Sequence, residues 1–295
     1  VPDRTIILDG DVYAFQSSVA VEQEVDWGNG LWTLHSYLDD AIKNMEAKIN
    51  TIVDGLKANR IVIALSDKKN FRYDVMPTYK ANRKGKRKPV VYNSLIQYLR
   101  QEYSTYSLPG LEGDDLLGIL ATHPNLLKGD KVVVSIDKDM GTLPCLWLND
   151  QRARRAMEEV GVEHMALEEF IQETTEEAAD LWHMTQTIGG DTTDGYSGVP
   201  GLGELRADKL LREGKVLIEK KHTVSRGPRK GEVETRWEPG PDGTPWEIVV
   251  SAYKSAGLGE EVALQTARVA RICRWTDFDY KQKTVKLWNP PSEGA

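Results

Sequence analysis

A chain of 295 residues, 40% hydrophobic and 28% charged with a net charge of −7, has the composition of a globular protein of one large or two modest domains, not of a disordered one. Its two cysteines, Cys145 and Cys273, lie far apart, and its five histidines form no HExxH or HxxxH pair, which argues against both a disulfide framework and a zinc site. No apolar run approaches bilayer-spanning length and Val1–Arg4 is no signal peptide, so a soluble, cytosolic protein is expected, and the missing initiator Met points to a processed or truncated N-terminus.

Thr5–Leu8 is predicted to be a short buried strand that ends on Asp9. Leu31–Leu56 carries helical spacing through Leu31, Leu34, Leu38, Ile42, Met45, Ile49, Ile52 and Leu56, which predicts one long amphipathic helix with its apolar stripe in the core. Arg60–Leu65 is a second predicted strand, leading to Asp67. From Lys68 to Arg100 ten Lys or Arg face a single acid, Asp74, a local +9 that leaves about −16 for the rest. The densest piece is Lys80–Lys88, KANRKGKRK, which holds Lys80, Arg83, Lys84, Lys86, Arg87 and Lys88. A solvated loop is the plain alternative, but a basic segment on an acidic protein points to a polyanion, most commonly nucleic acid. Pro77, Gly85 and Pro89 break this segment, and Leu95–Arg100 belongs to another helix.

Glu112, Asp114 and Asp115 in LEGDD precede a helix at Leu116–Thr122. Capping accounts for one or two acids at a helix start, not for three. Glu112 and Asp115 share a face if that turn is already helical. Lys131–Ile136 is the clearest buried strand; Asp137 and Asp139 share a face if the strand continues, and form a polar exit if it does not. Ala153–Gln172 and Thr175–Ile188 read as helices, with His183 a packing or surface group and not a ligand. Asp191 and Asp194 in GGDTTDG lie on one side of a helical turn or, alternatively, in an Asp-rich turn completed by Gly195. Gly198–Gly203, GVPGLG, is neither a Walker loop nor GxGxxG. As a Gly-rich hairpin opening a helix with Ala207, Leu210 and Leu211, it suits backbone N–H contacts to a phosphate. Lys215–Arg236 is predicted to be a polar hairpin or loop, Trp246–Ala256 and Glu260–Arg274 closing helices, Val285–Trp288 a last strand and Asn289–Ala295 a frayed tail.

Asp9, Asp67 and Asp137 each follow an apolar run read as a strand, and in a parallel α/β sheet strand C-termini lie along one edge. Two like charges about 4 Å apart repel by roughly 4 kcal/mol at an effective dielectric near 20, so convergence of these acids demands cations. Two hard divalent ions with oxygen ligands are the simplest answer. No Ser, Cys or His nucleophile stands in a recognisable setting.

In the order ILDGD, SDKKNFRYDVMPTYKANRK, LEGDD, SIDKD and GGDTTDGYSGVPGLG, the chain resembles the 5′-nuclease or flap endonuclease superfamily over essentially its whole length, and especially the 5′→3′ exonucleases of short-tailed phages. A lone DxD says little; five blocks in this order are specific. The resemblance implies an α/β fold with a central, mainly parallel sheet flanked by helices. It also implies a basic arch at about 68–104 and a helix-hairpin-helix, with a nuclease core at 1–188 and the DNA-gripping region at 189–295. Asp9, Asp67, Glu112, Asp114 and Asp115 match a first metal cluster, and Asp137, Asp139, Asp191 and Asp194 a second, implying two Mg²⁺ ions that Mn²⁺ can replace. Tyr79, Lys80 and Arg83 match the foot of the arch, where the basic pair reaches the scissile phosphate. Gly198, Gly201 and Gly203, with Arg206 and Lys209 following, match the duplex-gripping hairpin, which in many members also holds a monovalent cation such as K⁺.

Lys84, Lys86, Arg87 and Lys88 in the arch, and Lys220, Lys221, Arg229 and Lys230 in the insert, are expected on DNA. The implied activity is metal-dependent 5′→3′ DNA exonuclease and flap endonuclease hydrolysis, in phage replication, RNA-primer removal and recombination. The implied substrate is double-stranded DNA with 5′ ends or flaps, extending to RNA–DNA hybrids. The protein is expected to be a monomer without membrane contact, in the host cytoplasm if viral. Asp11 is an extra acid, expected to support Asp9 or face solvent. The arch, broken by Gly85 and Pro89, is a candidate for ordering only on DNA. A haloacid-dehalogenase phosphatase is an alternative, since Asp9–Asp11 and GGDTTD imitate its acidic motifs. It wants Thr or Val where Tyr13 stands and leaves LEGDD and the basic segment unexplained. A non-catalytic DNA-binding subunit would lack acids that this chain has.

Overall fold

The structure, a computed structural model, describes residues 3–159, 161 and 166–291. The first half runs β1 (Arg4–Asp9), α1 (Gly10–Ala20), β2 (Gln23–Asp26), β3 (Trp32–His35), α2 (Leu38–Gly55), β4 (Arg60–Ala64), α3 (Arg72–Val75), α4 (Tyr92–Glu102), β5 (Thr105–Tyr106), α5 (Gly113–Thr122), β6 (Asp130–Val134) and β7 (Leu146–Leu148). There follow α6 (Asp150–Glu159), β8 (Gln172–Glu173), α7 (Glu176–Gly189), β9 (Gly190–Asp191), β10 (Tyr196–Ser197), α8 (Glu204–Glu213), β11 (Lys215–Thr223), β12 (Val233–Asp242), α9 (Pro245–Ser255), α10 (Glu260–Ala270), β13 (Phe278–Asp279) and β14 (Thr284–Val285).

Two compact units result, each drawn from separate stretches of chain. The first is Val1–Phe71, Gly85–Glu176 and Ile272–Lys286; the second is Arg72–Lys84, Glu177–Arg271 and Leu287–Ala295. These units are not the expected 1–188 and 189–295: the chain returns to the first unit at 272–286, and it visits the second early, at 72–84. Arg72 is the reason: its buried guanidinium donates to the carbonyls of Val269 (2.8 Å) and Arg271 (2.7 Å) at the end of α10. Tyr79 packs with Tyr196, Val269 and Ala270 in the same unit.

The first unit is a mixed α/β fold with a six-stranded sheet in the order β5-β4-β1-β6-β7-β8. All neighbours are parallel except β7 and β8. Alternation along β1 builds both layers: Ile6 and Leu8 pack under α1, α2 and α4 with Met45, Ile52 and Leu95, while Ile7 faces α5 with Leu117 and Leu120. Such two-faced burial is why the strand reads as an unbroken apolar run. Gly10 permits the tight turn from β1 into α1, since a Cβ there would stand 2.4 Å from Ile63 Cγ2 and 2.9 Å from the Ala64 carbonyl. The second unit packs Met184 and Ile188 of α7, Ala207 and Leu211 of α8, Ile248 and Tyr253 of α9 and Ala263 of α10 into one helical core. His183 is a packing group, as expected, with Nε2 2.8 Å from the Ala267 carbonyl.

Several predicted elements differ. The long helix over Leu31–Leu56 is a hairpin, β2–β3, followed by α2 from Leu38. Gly28, Asn29 and Gly30 all take positive φ and turn the chain, and Trp32–His35 pairs back on Gln23–Asp26. Leu31 and Leu34 fell on the helical period by coincidence. The helix expected over Ala153–Gln172 is described only as α6, to Glu159; residues 160 and 162–165 lie outside the described residues, and Leu167–Phe170 is a short 3₁₀ turn. The closing helix stops at Ala270 and the last strand is only Thr284–Val285. Residues 292–295 of the expected tail lie outside the described residues.

Candidate metal centre and nucleic-acid interface

Asp9 ends the central strand, beside Ala64 of β4, and also caps α1. One oxygen accepts the Val12 N–H (3.1 Å) and the other the Ser135 hydroxyl (2.8 Å). Burial pushes its carboxyl up to about 7; the bonds from Ser135 and Val12 oppose this, and the nearby charges of Asp11 and Asp137 add to it. Asp11 accepts the Ser66 N–H (2.7 Å) and the Tyr92 hydroxyl (2.9 Å), tying β4's end and α4 to α1. Asp67 accepts the Gly110 N–H (2.9 Å), and that bond, with the Lys68 N–H next, holds its carboxyl below the usual range. Glu112 and Asp115 cap α5 reciprocally. Asp115 is fully buried, accepting the Glu112 N–H (3.1 Å) on one oxygen and the Cys273 N–H (3.0 Å) on the other. Asp114 is half-buried in the same first turn.

Asp137 and Asp139 do not continue a strand. β6 stops at Val134, and the Asp137 carboxylate accepts the Asp139 N–H (2.9 Å), starting a 3₁₀ turn over Lys138–Thr142. The side chain takes an amide that a ladder would otherwise use. Asp191 likewise accepts the N–H groups of Thr193 (2.6 Å) and Asp194 (3.2 Å), so GGDTTDG is an Asp-rich turn between β9 and β10, not a helical one.

In the second unit the predicted catalytic residues meet on Asp194. Its carboxylate takes the Tyr79 hydroxyl (2.9 Å), the Arg83 guanidinium (2.6 Å) and the Lys80 ammonium (3.5 Å). Backbone contacts join the same segments: the Lys80 N–H donates to the Asp194 carbonyl (2.7 Å), and Asn82 donates to those of Thr192 and Thr193. Gly195, at φ 75°, lets the loop pass against Thr78 and Lys80, where a Cβ would stand 3.3 Å from their backbone. Lys80 itself takes φ 50°, unusual for a non-glycine residue.

Asp9, Asp67, Glu112, Asp114, Asp115, Asp137 and Asp139 thus belong to the first unit, and Asp191 and Asp194 to the second. Among the described residues no three Asp, Glu, His or Cys side chains stand close enough together to hold one ion as they are placed. The donor chemistry nonetheless fits hard divalent cations: every predicted ligand is a carboxylate, and the field of Asp11 and Asp137 at buried Asp9 is one that a cation relieves.

The predicted DNA contacts fall into two groups. Lys84, Lys86 and Lys88 are exposed, with the Lys88 ammonium 4.2 Å over the Tyr92 ring. Arg87 instead forks onto Glu22 (2.6 and 2.9 Å), which also accepts the Val90 N–H (2.8 Å). Between β10 and α8, the Gly198–Gly203 turn is pinned by Val199 N–H to the Ile188 carbonyl (2.7 Å); Gly201 takes φ 80°, and Gly203 caps α8. Arg206 donates to the Gly201 carbonyl (3.0 Å), and Lys209 pairs with Glu213 (3.7 Å). The insert is the β11–β12 hairpin, where Lys220 meets Glu238 (3.3 Å) and Arg229 meets Glu232 (2.7 Å) and Glu234 (3.5 Å). Lys221 and Lys230 make no ion pair among the described residues.

Sequence reasoning missed the supports. Ser135 bonds Asp9 and also accepts the Asp137 N–H (3.2 Å); Ser66 accepts the Gly113 N–H (2.8 Å) while its own amide meets Asp11. Both serines directly follow the apolar run of a strand, and that position was the available signal. Glu22 and the Cys273 amide gave none, because each acts across a long sequence separation.

The pattern of the 5′-3′ exonuclease N-terminal resolvase-like domain matches residues 4–171. The exodeoxyribonuclease of Enterobacteria phage T3 is 33% identical over 304 residues, covering 97% of this chain and 93% of that protein. The exonuclease of Escherichia phage T7 is 33% identical over 302 residues with the same coverage. In fold the chain is similar to the T5 D15 protein co-crystallized with metal ions, with TM-score 0.54 and 16% identity over 90% of this chain and 88% of that one. The chain belongs to the 5′–3′ exonuclease family. It is an enzyme of the 5′→3′ exonuclease class, which removes the phosphatase and non-catalytic alternatives.

Proposed function

We propose that the protein is a metal-dependent 5′→3′ exodeoxyribonuclease with flap endonuclease action, using two Mg²⁺ ions that Mn²⁺ can replace. The observation that carries this reading is Asp9, a buried carboxyl at the end of the central strand whose neighbours Asp11 and Asp137 crowd it with like charge. Asp9, Asp67, Glu112, Asp114 and Asp115 would hold one ion, and Asp137, Asp139, Asp191 and Asp194 the other. When bound, the ions supply Lewis-acid polarisation of the phosphoryl oxygen and activation of the attacking water. The protein's own part is positional. Lys80 and Arg83 take the charge that builds on the phosphoryl oxygens, and Tyr79 orients them. The Gly198–Gly203 turn and the N-terminus of α8, with a monovalent cation such as K⁺, grip a duplex backbone. Lys84, Lys86 and Lys88 track the single strand.

The substrates are duplex DNA with recessed, blunt or flapped 5′ ends and RNA–DNA hybrids, met by a monomer in an infected cell's cytoplasm during replication, primer removal and recombination. The T3 and T7 relatives, named exodeoxyribonuclease and exonuclease, support the activity. Digestion of 5′-labelled and 3′-labelled duplex, flap and single-stranded substrates with and without Mg²⁺ tests it. Short 5′ products that require the metal are expected; degradation from the 3′ terminus would overturn it.

A further inference from the structure

We propose that Asp194 is an internal stand-in for the phosphate: it docks Tyr79, Lys80 and Arg83 in a resting state that competes with a cation for the same oxygens. The inference rests on reading Asp194 as a metal ligand and Lys80 and Arg83 as phosphate-facing.

Both oxygens are committed in the structure. Oδ1 accepts the Arg83 guanidinium at 2.6 Å, while Oδ2 accepts the Tyr79 hydroxyl at 2.9 Å and lies 3.5 Å from the Lys80 ammonium. A carboxylate and a phosphate offer an arginine the same pair of acceptor oxygens, so the group that binds one binds the other. A divalent ion on Asp194 competes with Arg83 and Tyr79 for the same two oxygens, and its charge repels both cationic side chains.

The backbone contacts tell which part moves. The Lys80 N–H on the Asp194 carbonyl and the Asn82 amide on Thr192 and Thr193 do not involve the carboxylate. The two segments therefore stay in register while three side chains exchange one anion for another. Metal binding then releases Lys80 and Arg83 for DNA. A phosphate that captures them frees Asp194 for metal, and the two couplings are equal by linkage.

Titration of the DNA-free protein with Mn²⁺, followed by the electron paramagnetic resonance of free ion, tests this without turnover. Tyr79→Phe and Arg83→Met remove docked partners and are expected to tighten Mn²⁺ binding by about two- to fivefold, the worth of a partly exposed ion pair. Lys84→Met removes a neighbouring charge that touches none of the cluster, and is expected to change little. No gain in Tyr79→Phe and Arg83→Met, or an equal gain in Lys84→Met, overturns the docking. Asp194→Asn separates the two failures. If it loses an ion while Tyr79→Phe and Arg83→Met change nothing, the docking alone is wrong. If it binds the same ions as tightly as the parent protein, Asp194 is no ligand, and both readings fall.

Discussion

Two charged regions of this protein are built on opposite principles. At the sheet edge of the first unit, Asp9 is held by a hydroxyl and a backbone N–H, and Asp67 by backbone N–H groups. Neutral dipoles fix a carboxylate in place without cancelling its charge. On the β11–β12 hairpin of the second unit, Lys220, Arg229 and Arg236 are instead held by Glu238, Glu232 and Glu234. An ion pair fixes both partners and cancels both charges at long range. The first arrangement keeps its attraction for a counter-ion; the second has largely consumed it. Composition does not distinguish them, since both are simply clusters of charge in the sequence.

The largest expected effect lies with the first arrangement. Asp137→Asn keeps an oxygen for the Asp139 N–H, so the fold should persist and duplex binding in Ca²⁺ should be nearly unchanged. Turnover should fall by more than the roughly 10²–10³ that loss of a single transition-state donor costs. Full activity of the parent protein in excess chelator would break the comparison at its root. Next are Lys80→Ala and Arg83→Ala, whose single-turnover rates should fall by about 2.7–4 kcal/mol in barrier, well beyond any loss of DNA affinity. Small and equal losses in both would reduce the pair to ordinary phosphate contacts.

Much of this was legible in the sequence where burial is two-sided. β1, β4 and β6 announce themselves as apolar runs ending on polar residues, and their C-terminal edge follows from parallel topology. The failures are local. The β2–β3 hairpin was hidden because Leu31 and Leu34 happen to continue the period of α2, while the Gly28–Gly30 turn that decides the matter is three residues long. At Asp137 and Asp191 the sequence leaves two geometries open, because a carboxylate capturing the backbone amide two residues on leaves no periodic trace. Long-range supports such as Cys273 to Asp115 have no sequence signal at all.

A smaller effect separates Asp9 from the others. Its carboxyl, ordinarily near 3.8, is pushed up to about 7 by burial, with Asp11 and Asp137 adding to the shift. Between those two values the folded protein keeps a proton that the unfolded chain releases, so metal-free stability falls as pH rises across that window and levels off above it. The span corresponds to a cost on the order of a few kcal/mol. Metal binding requires the ionised form, so Mg²⁺ affinity should climb as pH rises through about 7, with proton release. Asp9→Asn can keep the bond from Val12 and has no charge to bury. In chelator at pH 8 it should melt higher than the parent protein, and should lack the parent's decline between pH 5 and 7. An identical decline in both would assign that proton to another group.

The smallest effect sharpens the other half of the comparison. If ion pairing has already used the hairpin's charge, its cations cannot contribute equally to DNA. The β11–β12 hairpin includes Lys220 and Arg229, each paired with glutamates, and Lys221 and Lys230, which make no ion pair among the described residues. A phosphate must break the existing pair to recruit the first two, and releases a glutamate charge that repels the same phosphate. Recruiting the second two breaks no ion pair among the described residues. Each true phosphate contact contributes roughly 0.9 to the slope of log K against log salt on duplex DNA. Lys221→Gln with Lys230→Gln should therefore lower the slope by up to about twice that amount, and Lys220→Gln with Arg229→Gln by markedly less. Equal decreases would mean that the pairs dissolve on DNA and that resting geometry does not predict which cations bind. No decrease in either would make the hairpin a solvated ornament of the second unit, and leave duplex affinity to Gly198–Gly203 and α8.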